Sequence, residues 1–456
     1  MMNWQALILA AGKGTRMKSR RPKVLHPLAG RAMLQHVVDT VTHLGMRDNV
    51  VVIGHGAEMI QNALKGNDLK WVWQSEQLGT GHAAQQAIPE LHDEGYVLIV
   101  YGDVPLIRSA TLQAFFEVCQ EVDLGVLTVE LENPTGYGRI LKNDNGHVCA
   151  IVEEKDANDE QKRIREINTG IYVVKSVLLK QLLSQLTNQN AQQEYLLTEI
   201  VALAAQAGCV LRSYSIDDPM EVSGVNDRVQ LAELEQYYQH RYRQDLMRNG
   251  LTLMHPDSVT IRGELIHGMD VCVDANVLME GRVILGDNVT IGPHCVLMDV
   301  EIAAGATIEA FSHLQGARIG ENCRIGPYAR IRPGTQLASE AKVGNFVELK
   351  KASVGENSKI NHLSYIGDAI IGAGVNVGAG VITCNYDGVK KSETCIEDNA
   401  FVGSNTALVA PVTVGEGATI GAGSTITHSA PARRLTLSRT PQYTHPTWER
   451  PVTDNQ

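Results

Sequence analysis

Residues 7–23, LILAAGKGTRMKSRRPK, place a glycine-rich turn and several basic side chains directly after a strand-like run. The backbone N–H groups of such a turn, together with Arg16 and Lys23, could hold a triphosphate and neutralise the charge that develops on it. An ATPase-type P-loop is excluded, because Leu7 occupies the position of its first glycine, five residues before Gly12. Since a tight turn with surface bases would look similar, this segment alone leaves both interpretations open.

A second segment, YVLIVYGDVPL, ends a predicted strand in Gly102 and Asp103. In a parallel sheet this position is the carboxyl edge, where a hard cation that bridges phosphates would bind. A lone Asp at a strand end is more often a turn or helix cap. The two segments together favour a phosphate-binding edge with a metal ligand.

The elements that must position these residues alternate along the first half of the chain. From residue 4 to about 215, β-rich runs alternate with amphipathic segments, which predicts a mostly parallel sheet covered by helices. Residues 225–248 contain no Gly or Pro and predict one long helix that joins the two halves. The β-rich runs are QALILA, NVVVIG, KWVWQ, YVLIVYGD and LGVLTVEL, and two of the helical segments are MLQHVVDTVTHLG and TLQAFFEVCQEV.

The second half has a different period, because aliphatic residues recur at every sixth position within long runs. This period predicts a parallel β-helix of triangular cross-section with aliphatic side chains along its axis. A polar insertion must leave such a coil as a loop, and the clearest insertion runs from about Ile382 to Cys395. The aliphatic positions are Val273, Met279, Leu285, Ile291, Leu297, Ile319, Ile325, Ile331, Leu337, Val343, Leu349, Val402, Leu408, Val414, Ile420 and Ile426.

Composition limits the partners and the compartment. The 456 residues carry 51 Asp and Glu against 40 Lys and Arg, a formal charge of −11, which disfavours nucleic acid as a partner. The 8 Cys residues form no Cys-x-x-Cys pair, which is typical of reduced thiols. Because no long uninterrupted apolar segment occurs, we expect a soluble cytoplasmic protein with no membrane insertion.

The first segment also carries a family signature. Leu9 to Met17, followed by Pro22 and Lys23, resembles the L-x-A-G-x-G-T-R-M and Pro-Lys signature of the nucleoside-diphosphate-sugar pyrophosphorylases. The blocks QSEQLGTGHA, PTGYGRI, IVEEKDA, EINTGIY and EVSGVNDR extend this resemblance. It narrows to the bifunctional family of UDP-N-acetylglucosamine synthesis, a uridyltransferase fused to a hexapeptide-type acetyltransferase, whose product feeds peptidoglycan and lipopolysaccharide precursor synthesis.

The resemblance implies an α/β fold with a Rossmann-like nucleotidyltransferase domain in residues 1–224, a connecting helix in 225–250, and a left-handed parallel β-helix with a C-terminal tail in 251–456. It implies a homotrimer with acetyltransferase sites between subunits, Mg²⁺ as cofactor, and UTP and acetyl-CoA as co-substrates. The sequence itself shows only that a flat-sided prism is available for packing.

For the first domain, the resemblance assigns residues to nucleotide, amino sugar and metal. Arg16 and Lys23 would stabilise charge while N-acetylglucosamine-1-phosphate attacks the α-phosphorus of UTP, and Asp103 and Asn226 would bind the metal. The uridine nucleotide would be held by Leu9, Ala10, Ala11, Gly12, Gln74, Gly79 and Thr80, and the amino sugar by Tyr101, Gly138, Glu153 and Asn168, with Gly102 adjoining.

For the second domain, His362 in KINHLSYIGD would remove the proton of the glucosamine-1-phosphate ammonium group, since an imidazole pKa of about 6.5 suits a base at neutral pH. His362 lies where the hexad register slips between Val354 and Ile371. A His in a solenoid is more often a solvated corner residue. The resemblance adds Arg332 and Lys350 for the sugar phosphate, Tyr365 and Asn376 for its hydroxyls, and Asn385 and Tyr386 for the acetyl end.

The coenzyme end is assigned in the same way, to Ala379, Ser404, Ala422 and Arg439. Some relatives have a Lys six residues after the Arg, where this chain has His445, so the 3′-phosphate of coenzyme A would be held less firmly. The pairs Lys350-Lys351 and Lys390-Lys391 could equally be solvated surface charge. We expect the last residues, PVTDNQ, to be disordered.

Two other functions compete with the bifunctional enzyme. A nucleotidyltransferase whose β-helix only drives assembly would have no need of the polar cluster around His362. A non-catalytic binding module would give no reason for Asp103 and Asn226 to occur in family blocks more than a hundred residues apart. We rank the bifunctional enzyme first and these two in that order.

Overall fold

The computed structural model describes residues 4–66 and 68–450. The C-terminal PVTDNQ, predicted to be disordered, lies outside the described residues. The chain divides into two compact units, Met1–Arg241 and Tyr242–Gln456. The narrower boundaries 1–224, 225–250 and 251–456 remain a prediction.

The first unit is built on a mostly parallel sheet with the strand order β11-β7-β10-β6-β1-β4-β5. Strand β10 alone among the seven runs antiparallel to its neighbours, and the hairpin β8–β9, which the sequence analysis missed, pairs with it. The strands are β1 Trp4–Leu9, β2 Pro27–Leu28, β3 Arg31–Ala32, β4 Asn49–Ile53, β5 Leu69–Trp73, β6 Tyr96–Tyr101, β7 Leu124–Glu130, β8 Arg139–Lys142, β9 Val148–Val152, β10 Glu166–Lys175 and β11 Leu211–Ile216.

Helices cover this sheet on both faces. The central strand β1 is buried almost throughout, so its alternate side chains enter two different hydrophobic clusters: Ala6 and Ile8 in one, Leu7 and Leu9 in the other. This confirms the predicted layered α/β arrangement. The helices are α1 Met33–His43, α2 Ala57–Ala63, α3 Thr80–Gln86, α4 Ser109–Val118, α5 Ser176–Leu183, α6 Glu199–Gln206 and α7 Arg228–Arg248.

The predicted joining helix is α7, which begins at Arg228 rather than at residue 225. The side chain of Asp227 accepts hydrogen bonds from the N–H groups of Val229 and Gln230 at 2.9 and 3.0 Å. Because these groups have no partner inside the helix, Asp227 caps its N-terminus and sets the starting point.

The second unit is a parallel β-helix, as the period of six predicts. Its strands are β12 Thr252–Leu253, β13 Thr260–His267, β14 Cys272–Val273, β15 Leu278–Leu285, β16 Thr290–Ile291, β17 Val296–Ile302, β18 Thr307–Ile308, β19 His313–Gln315, β20 Arg318–Ile319, β21 Arg324–Ile325, β22 Arg330–Ile331, β23 Gln336–Leu337, β24 Lys342–Asn345, β25 Glu348–Val354, β26 Lys359–His362, β27 Tyr365–Ile371, β28 Asn376–Val377, β29 Ile382–Cys384, β30 Thr394–Ile396, β31 Phe401–Val402, β32 Ala407–Val409, β33 Val412–Val414, β34 Thr419–Ile420, β35 Thr425–Ile426 and β36 Leu435–Thr436.

Parallel pairing between successive coils divides the prism into three faces. On the first face Val273 pairs with Ile291, on the second Met279 pairs with Leu297, and on the third Leu285 pairs with Ile302. All six side chains are at most 1% exposed and belong to one continuous core. The aliphatic residue of each hexad therefore fills the axis, and the arrangement fits the left-handed hexapeptide β-helix.

The register slip lies between Val354 and Ile371, as predicted, but it comes just after His362 rather than at it. The buried residues Val354, Ile360 and Ile366 are six positions apart, and the short step of five comes after His362, from Ile366 to Ile371. Asp368, inside that step, adopts a left-handed backbone conformation with φ of 47°. A tighter corner at Asp368 shortens this hexad by one residue, while Ile366 and Ile371 both stay buried in the axial core.

The polar insertion leaves the coil as predicted. On the first face Ile360 pairs with Val377, 17 positions later, whereas Val377 pairs with Val402, 25 positions later. The additional residues form a loop between strands β29 and β30, in which Tyr386 and Lys391 form an antiparallel bridge.

Among residues 4–66 and 68–450, no helix combines the length and hydropathy that a membrane-spanning segment requires.

The axial core predicts a large cost for shortening one hexad side chain. Ile291 is fully buried, whereas its neighbour Thr290 points outward and is exposed. We expect Ile291→Ala to destabilise the second unit by about 3 kcal/mol, through lost burial and a cavity that the rigid coil cannot close. Calorimetric unfolding of the full chain would measure this cost. Thr290→Ala serves as the control, and equal effects of the two substitutions would contradict the axial position of Ile291.

Candidate active sites

The first site is a cavity of about 330 Å³ at the carboxyl edge of the sheet. The residues that follow β1, β5 and β6 meet there because these strands are parallel and nearly adjacent. The cavity is lined by the predicted residues Leu9, Ala10, Ala11, Gly12, Lys23, Gln74, Gly79, Thr80, Tyr101 and Asp103, and by Val24, Gln77, Ala83 and Glu194, which the sequence analysis did not single out.

The glycine-rich turn brings Lys23 to the cavity. Gly14 has a left-handed φ of 59°, and a Cβ there would come within 2.7 Å of the Lys23 Cβ, so only glycine allows the lysine to pack against the turn. The Lys23 ammonium group forms an ion pair with Asp103 and lies 3.4 Å from the Asn226 amide oxygen. Arg16 donates to the same oxygen at 2.9 Å.

These contacts gather the two predicted metal ligands. Val225 N–H donates to the Asp103 carbonyl at 3.0 Å, which brings the following residue, Asn226, to the end of β6. The Asp103 carboxylate and the Asn226 amide oxygen both face the Lys23 ammonium group, so the pair already fits one positive charge. Two oxygen donors completed by phosphate and water suit a hard divalent cation. Within the described part of the chain, no cluster of three or more His, Cys, Asp or Glu could hold a metal by itself.

The residues predicted to hold the amino sugar adjoin this edge. The Asn168 N–H donates to the Gly138 carbonyl at 2.8 Å, which fixes the two residues together. Burial raises the pKa of the Glu153 carboxyl, although Thr198 donates to it at 3.0 Å. Burial, followed by the nearby charges of Asp103 and Glu153, also raises the pKa of Tyr101. Tyr101 therefore stays neutral and able to donate a hydrogen bond to a sugar or phosphate.

An ion pair that the sequence pattern did not predict, between a buried arginine and a half-buried carboxylate, lies next to the loop that ends at Gly138. Arg139, only 1% exposed, donates to Glu154 at 2.6 Å and also to the Tyr137 carbonyl. Glu154 accepts from the Gly136 N–H at 3.2 Å. The loop that ends at Gly138 is thus anchored at several points. The hairpin β8–β9, which the period of the sequence does not reveal, brings this pair together.

The second site follows one corner of the β-helix. We call Asn345, His362, Ala379, Ser404 and Ala422 the corner column. Backbone hydrogen bonds join each member of the column to the next coil. The carbonyl groups of its first four members accept these bonds from N–H groups of the following coil at 2.7 to 3.3 Å. Arg439 Nη1 then donates to the Ala422 carbonyl at 3.0 Å. The predicted base and the four predicted coenzyme residues therefore lie in one line along a single edge.

His362 has a defined orientation within the column. Its Nδ1 lies 3.1 Å from Oδ1 of Asn345, its partner in the preceding coil. Since an amide oxygen accepts, Nδ1 carries the proton and Nε2 is left with a free lone pair. His362 is exposed, so Nε2 can reach a substrate amine. Asn345 was not predicted, because its relation to His362 depends on a spacing of one coil.

The predicted sugar-phosphate residues flank this corner on both sides. Arg332 and Lys350 are neighbours on the second face, and Glu348 forms an ion pair with Arg332 at 2.8 Å. Tyr365 lies on the same face, whereas Asn376 lies on the first face. Within one chain the corner edge therefore separates Asn376 from the other three residues.

The inserted loop brings Asn385 to this face. Asn385 is 7% exposed and donates to Asp368. A Cβ at Gly367 would collide with the Tyr365 hydroxyl group and lie 2.9 Å from the Asn385 amide nitrogen, so the absence of a side chain at Gly367 leaves room for both residues. Tyr386 is 59% exposed at the loop surface, and His445 is exposed in the tail.

Family models match both units. Residues 6–209 match the MobA-like NTP transferase domain, residues 261–344 the GMPPB C-terminal domain, and residues 396–428 the bacterial transferase hexapeptide (six repeats).

Several relatives that match over nearly the whole chain carry the name Bifunctional protein GlmU. The protein of Marinobacter nauticus is 55% identical over 445 residues, which cover 98% of each chain. The protein of Alkalilimnicola ehrlichii is 54% identical, over 98% of this chain and 96% of that one. The protein of Pseudoalteromonas atlantica is 50% identical, over 99% of each chain. Taken with the two sites, these relationships show that the chain belongs to the family of bifunctional GlmU proteins, which join a uridyltransferase to an acetyltransferase.

Proposed function

We propose that the second unit acetylates glucosamine-1-phosphate with acetyl-CoA and that the first unit then transfers uridylyl from UTP to N-acetylglucosamine-1-phosphate. The observation that carries this assignment is the presence of two separate clusters of polar side chains, one in each unit. The substrates are sugar phosphates and nucleotides, as family membership requires.

In the first unit, a phosphate oxygen of the sugar phosphate attacks the α-phosphorus of UTP, and the bond from that phosphorus to pyrophosphate breaks. Lys23 and Arg16 stabilise the charge that develops on the phosphate oxygens, and the glycine-rich turn holds the triphosphate. Tyr101 and Glu153 orient the amino sugar. Little covalent chemistry is asked of the protein, so most of the rate enhancement comes from positioning and charge.

Family membership implies a divalent metal, and we propose Mg²⁺. Asp103 and Asn226 would hold it, since their oxygens already face one cation, the Lys23 ammonium group. The bound ion would neutralise phosphate charge and keep part of its hydration shell. Lys23 is then free to turn from Asp103 toward phosphate.

In the second unit, the amine of glucosamine-1-phosphate attacks the thioester carbonyl of acetyl-CoA. His362 Nε2 takes the proton that the amine loses, and the C–S bond breaks to release coenzyme A. Arg332 and Lys350 would hold the sugar phosphate, and Tyr365 and Asn376 its hydroxyl groups. Asn385 and Tyr386 would hold the acetyl end, while Ala379, Ser404, Ala422 and Arg439 would bind the rest of the coenzyme along the corner column.

We further propose that the protein acts as a homotrimer. Four side chains stack along the same corner, with ring centroids 4.8 to 5.3 Å apart, and the last of them directly follows Asn345 of the corner column; this aromatic ladder consists of His294, Phe311, Tyr328 and Phe346. Its last three members are 46 to 56% exposed in the single chain. A contiguous exposed apolar edge favours burial by another subunit. A neighbouring copy would also supply a wall to the site that the corner leaves open.

The reaction of the second unit has a direct assay. We expect release of free thiol from acetyl-CoA when glucosamine-1-phosphate is added without UTP or magnesium. Absence of thiol release, with pyrophosphate still produced from UTP and N-acetylglucosamine-1-phosphate, would mean that the β-helix is only a scaffold.

Replacing the metal carboxylate should separate the two activities. Asp103→Asn should lower uridylyl transfer by on the order of a hundredfold or more, because charge on the phosphates loses its stabilisation, and should leave acetyl transfer intact. Pyrophosphate and thiol assays on one preparation would measure both. Asp93→Asn removes an exposed ion-pair carboxylate from the same unit and is the control. Parallel loss of both activities in Asp103→Asn would contradict independent sites.

Replacing the proposed base should lower acetyl transfer and leave uridylyl transfer intact. His362→Ala should lower acetyl transfer roughly a hundredfold to ten-thousandfold, the usual contribution of a general base, with uridylyl transfer unchanged. Asn345→Ala should cause a smaller fall, since it removes only the partner that orients the imidazole. His428→Ala, an exposed His on the same β-helix, is the control. An acetyl-transfer rate near that of the parent in His362→Ala would show that another group is the base.

The aromatic ladder should govern assembly. The triple variant Phe311→Ser, Tyr328→Ser and Phe346→Ser should sediment as a smaller species than the parent and lose acetyl transfer while keeping uridylyl transfer. Sedimentation velocity and the two assays would measure this outcome. A control triple variant changes the exposed Met254, Ile266 and Met269 to Ser. A trimer that persists in the ladder variant would place the interface elsewhere.

A further inference from the structure

Gln74 is the most enclosed polar side chain in the nucleotide cavity. It follows β5, lines the cavity and is 3% exposed. Its Nε2 lies 3.2 Å from the Gly79 carbonyl oxygen and 3.0 Å from His82 Nδ1. A backbone carbonyl can only accept, so the nitrogen end of the amide faces Gly79, and its two N–H groups have two partners.

These contacts determine which ring nitrogen of a neutral His82 carries the proton. Because Gln74 donates to Nδ1, this nitrogen must carry a lone pair, and the single proton of a neutral imidazole is on Nε2. In the structure the Gln86 amide nitrogen lies 3.1 Å from His82 Nε2, and since two N–H donors cannot share this contact, the Gln86 amide must turn to present its oxygen. Gln86 can turn its amide because it is only half-buried and its other contact, with the His82 carbonyl, is 3.3 Å long. Because Gln74 is buried and cannot turn as easily, its amide orientation is kept and the Gln86 amide adapts to it.

The fixed orientation of Gln74 gives the cavity a hydrogen-bond acceptor at a defined position. With both N–H groups of Gln74 committed, Oε1 is the polar atom that remains for a bound molecule, and no protein donor to it occurs among the described residues. An acceptor at this position requires a donor on the ligand. Uracil carries N3–H between its two carbonyl groups, whereas N3 of cytosine is an acceptor.

We propose that His82 is a positioning residue that locks the amide of Gln74 and thereby makes this pocket select a uracil base over cytosine. The inference rests on the proposed uridylyl transfer. His82 lies outside the lining of the cavity and acts through Gln74. Helix α3 carries it, and the ring of Tyr195 lies beside it with centroids 6.2 Å apart. A cytosine base would leave two acceptors facing each other in a buried site, which is strongly unfavourable.

The test compares UTP with CTP in three variants. His82→Leu removes the acceptor for Gln74, and His82→Lys places a donor there, which competes with the required orientation. The matched control Gln86→Met removes the other neighbour of His82 and leaves the bond to Gln74. The quantity measured is the ratio of kcat/KM for UTP to kcat/KM for CTP on one preparation, in which the fraction of folded enzyme cancels.

We expect the UTP preference to fall roughly tenfold to a hundredfold in His82→Leu, mainly through KM for UTP, and further in His82→Lys. The kcat at saturating UTP should change little, because Lys23 and Asp103 are untouched, and Gln86→Met should keep the preference of the parent. If the parent uses UTP but neither His82 variant alters the ratio, the inference is overturned and the proposed function stands. A fall in kcat with an unchanged ratio would assign His82 a structural role and overturn it too. Absence of uridylyl transfer in the parent would overturn both.

Discussion

Parallel backbone hydrogen bonding sets the position of the functional side chains in both units. In the first unit it aligns the ends of β1, β5 and β6, so that short segments after each strand surround one cavity. In the second unit it stacks one coil on the next, so that residues one coil apart become neighbours, as Asn345 and His362 do. In both architectures, therefore, the register of strand pairing determines which side chains become neighbours.

Charge compensation at the nucleotide site shows how the first unit tolerates a half-buried lysine. Lys23 faces Asp103 and Asn226, so its ammonium group has an anionic partner and an amide oxygen within the protein itself. In the proposed reaction, substrate phosphates would bring negative charge to this site and a divalent metal ion would bring positive charge. Under that proposal, Lys23 would exchange Asp103 for phosphate while Asp103 and Asn226 bind the metal, and no isolated charge would be left in the cavity.

Much of this structure could be predicted because it depends on local patterns. The period of six identified axial residues such as Val273 and Ile291, since every coil repeats the same burial pattern. The meeting of Asp103 with Asn226 could be expected only through family resemblance, because no local pattern links residues so distant. Asn345 and the pair Arg139–Glu154 were missed: their roles depend on which strands pair, and a polar residue in a strand has the same sequence pattern whether it faces solvent or an active group.

The last coil of the β-helix has a neighbour on one side only. Strand β36, Leu435–Thr436, pairs with Thr419–Ile420 and ends its sheet, while Arg439 reaches back from the adjoining tail to Ala422. In a solenoid, fraying starts at a free end and moves inward. Warming should therefore loosen Ser404 and Ala422, the proposed coenzyme residues at that end of the corner column, before it disturbs His362, so that coenzyme binding would weaken while the proposed base is still in place.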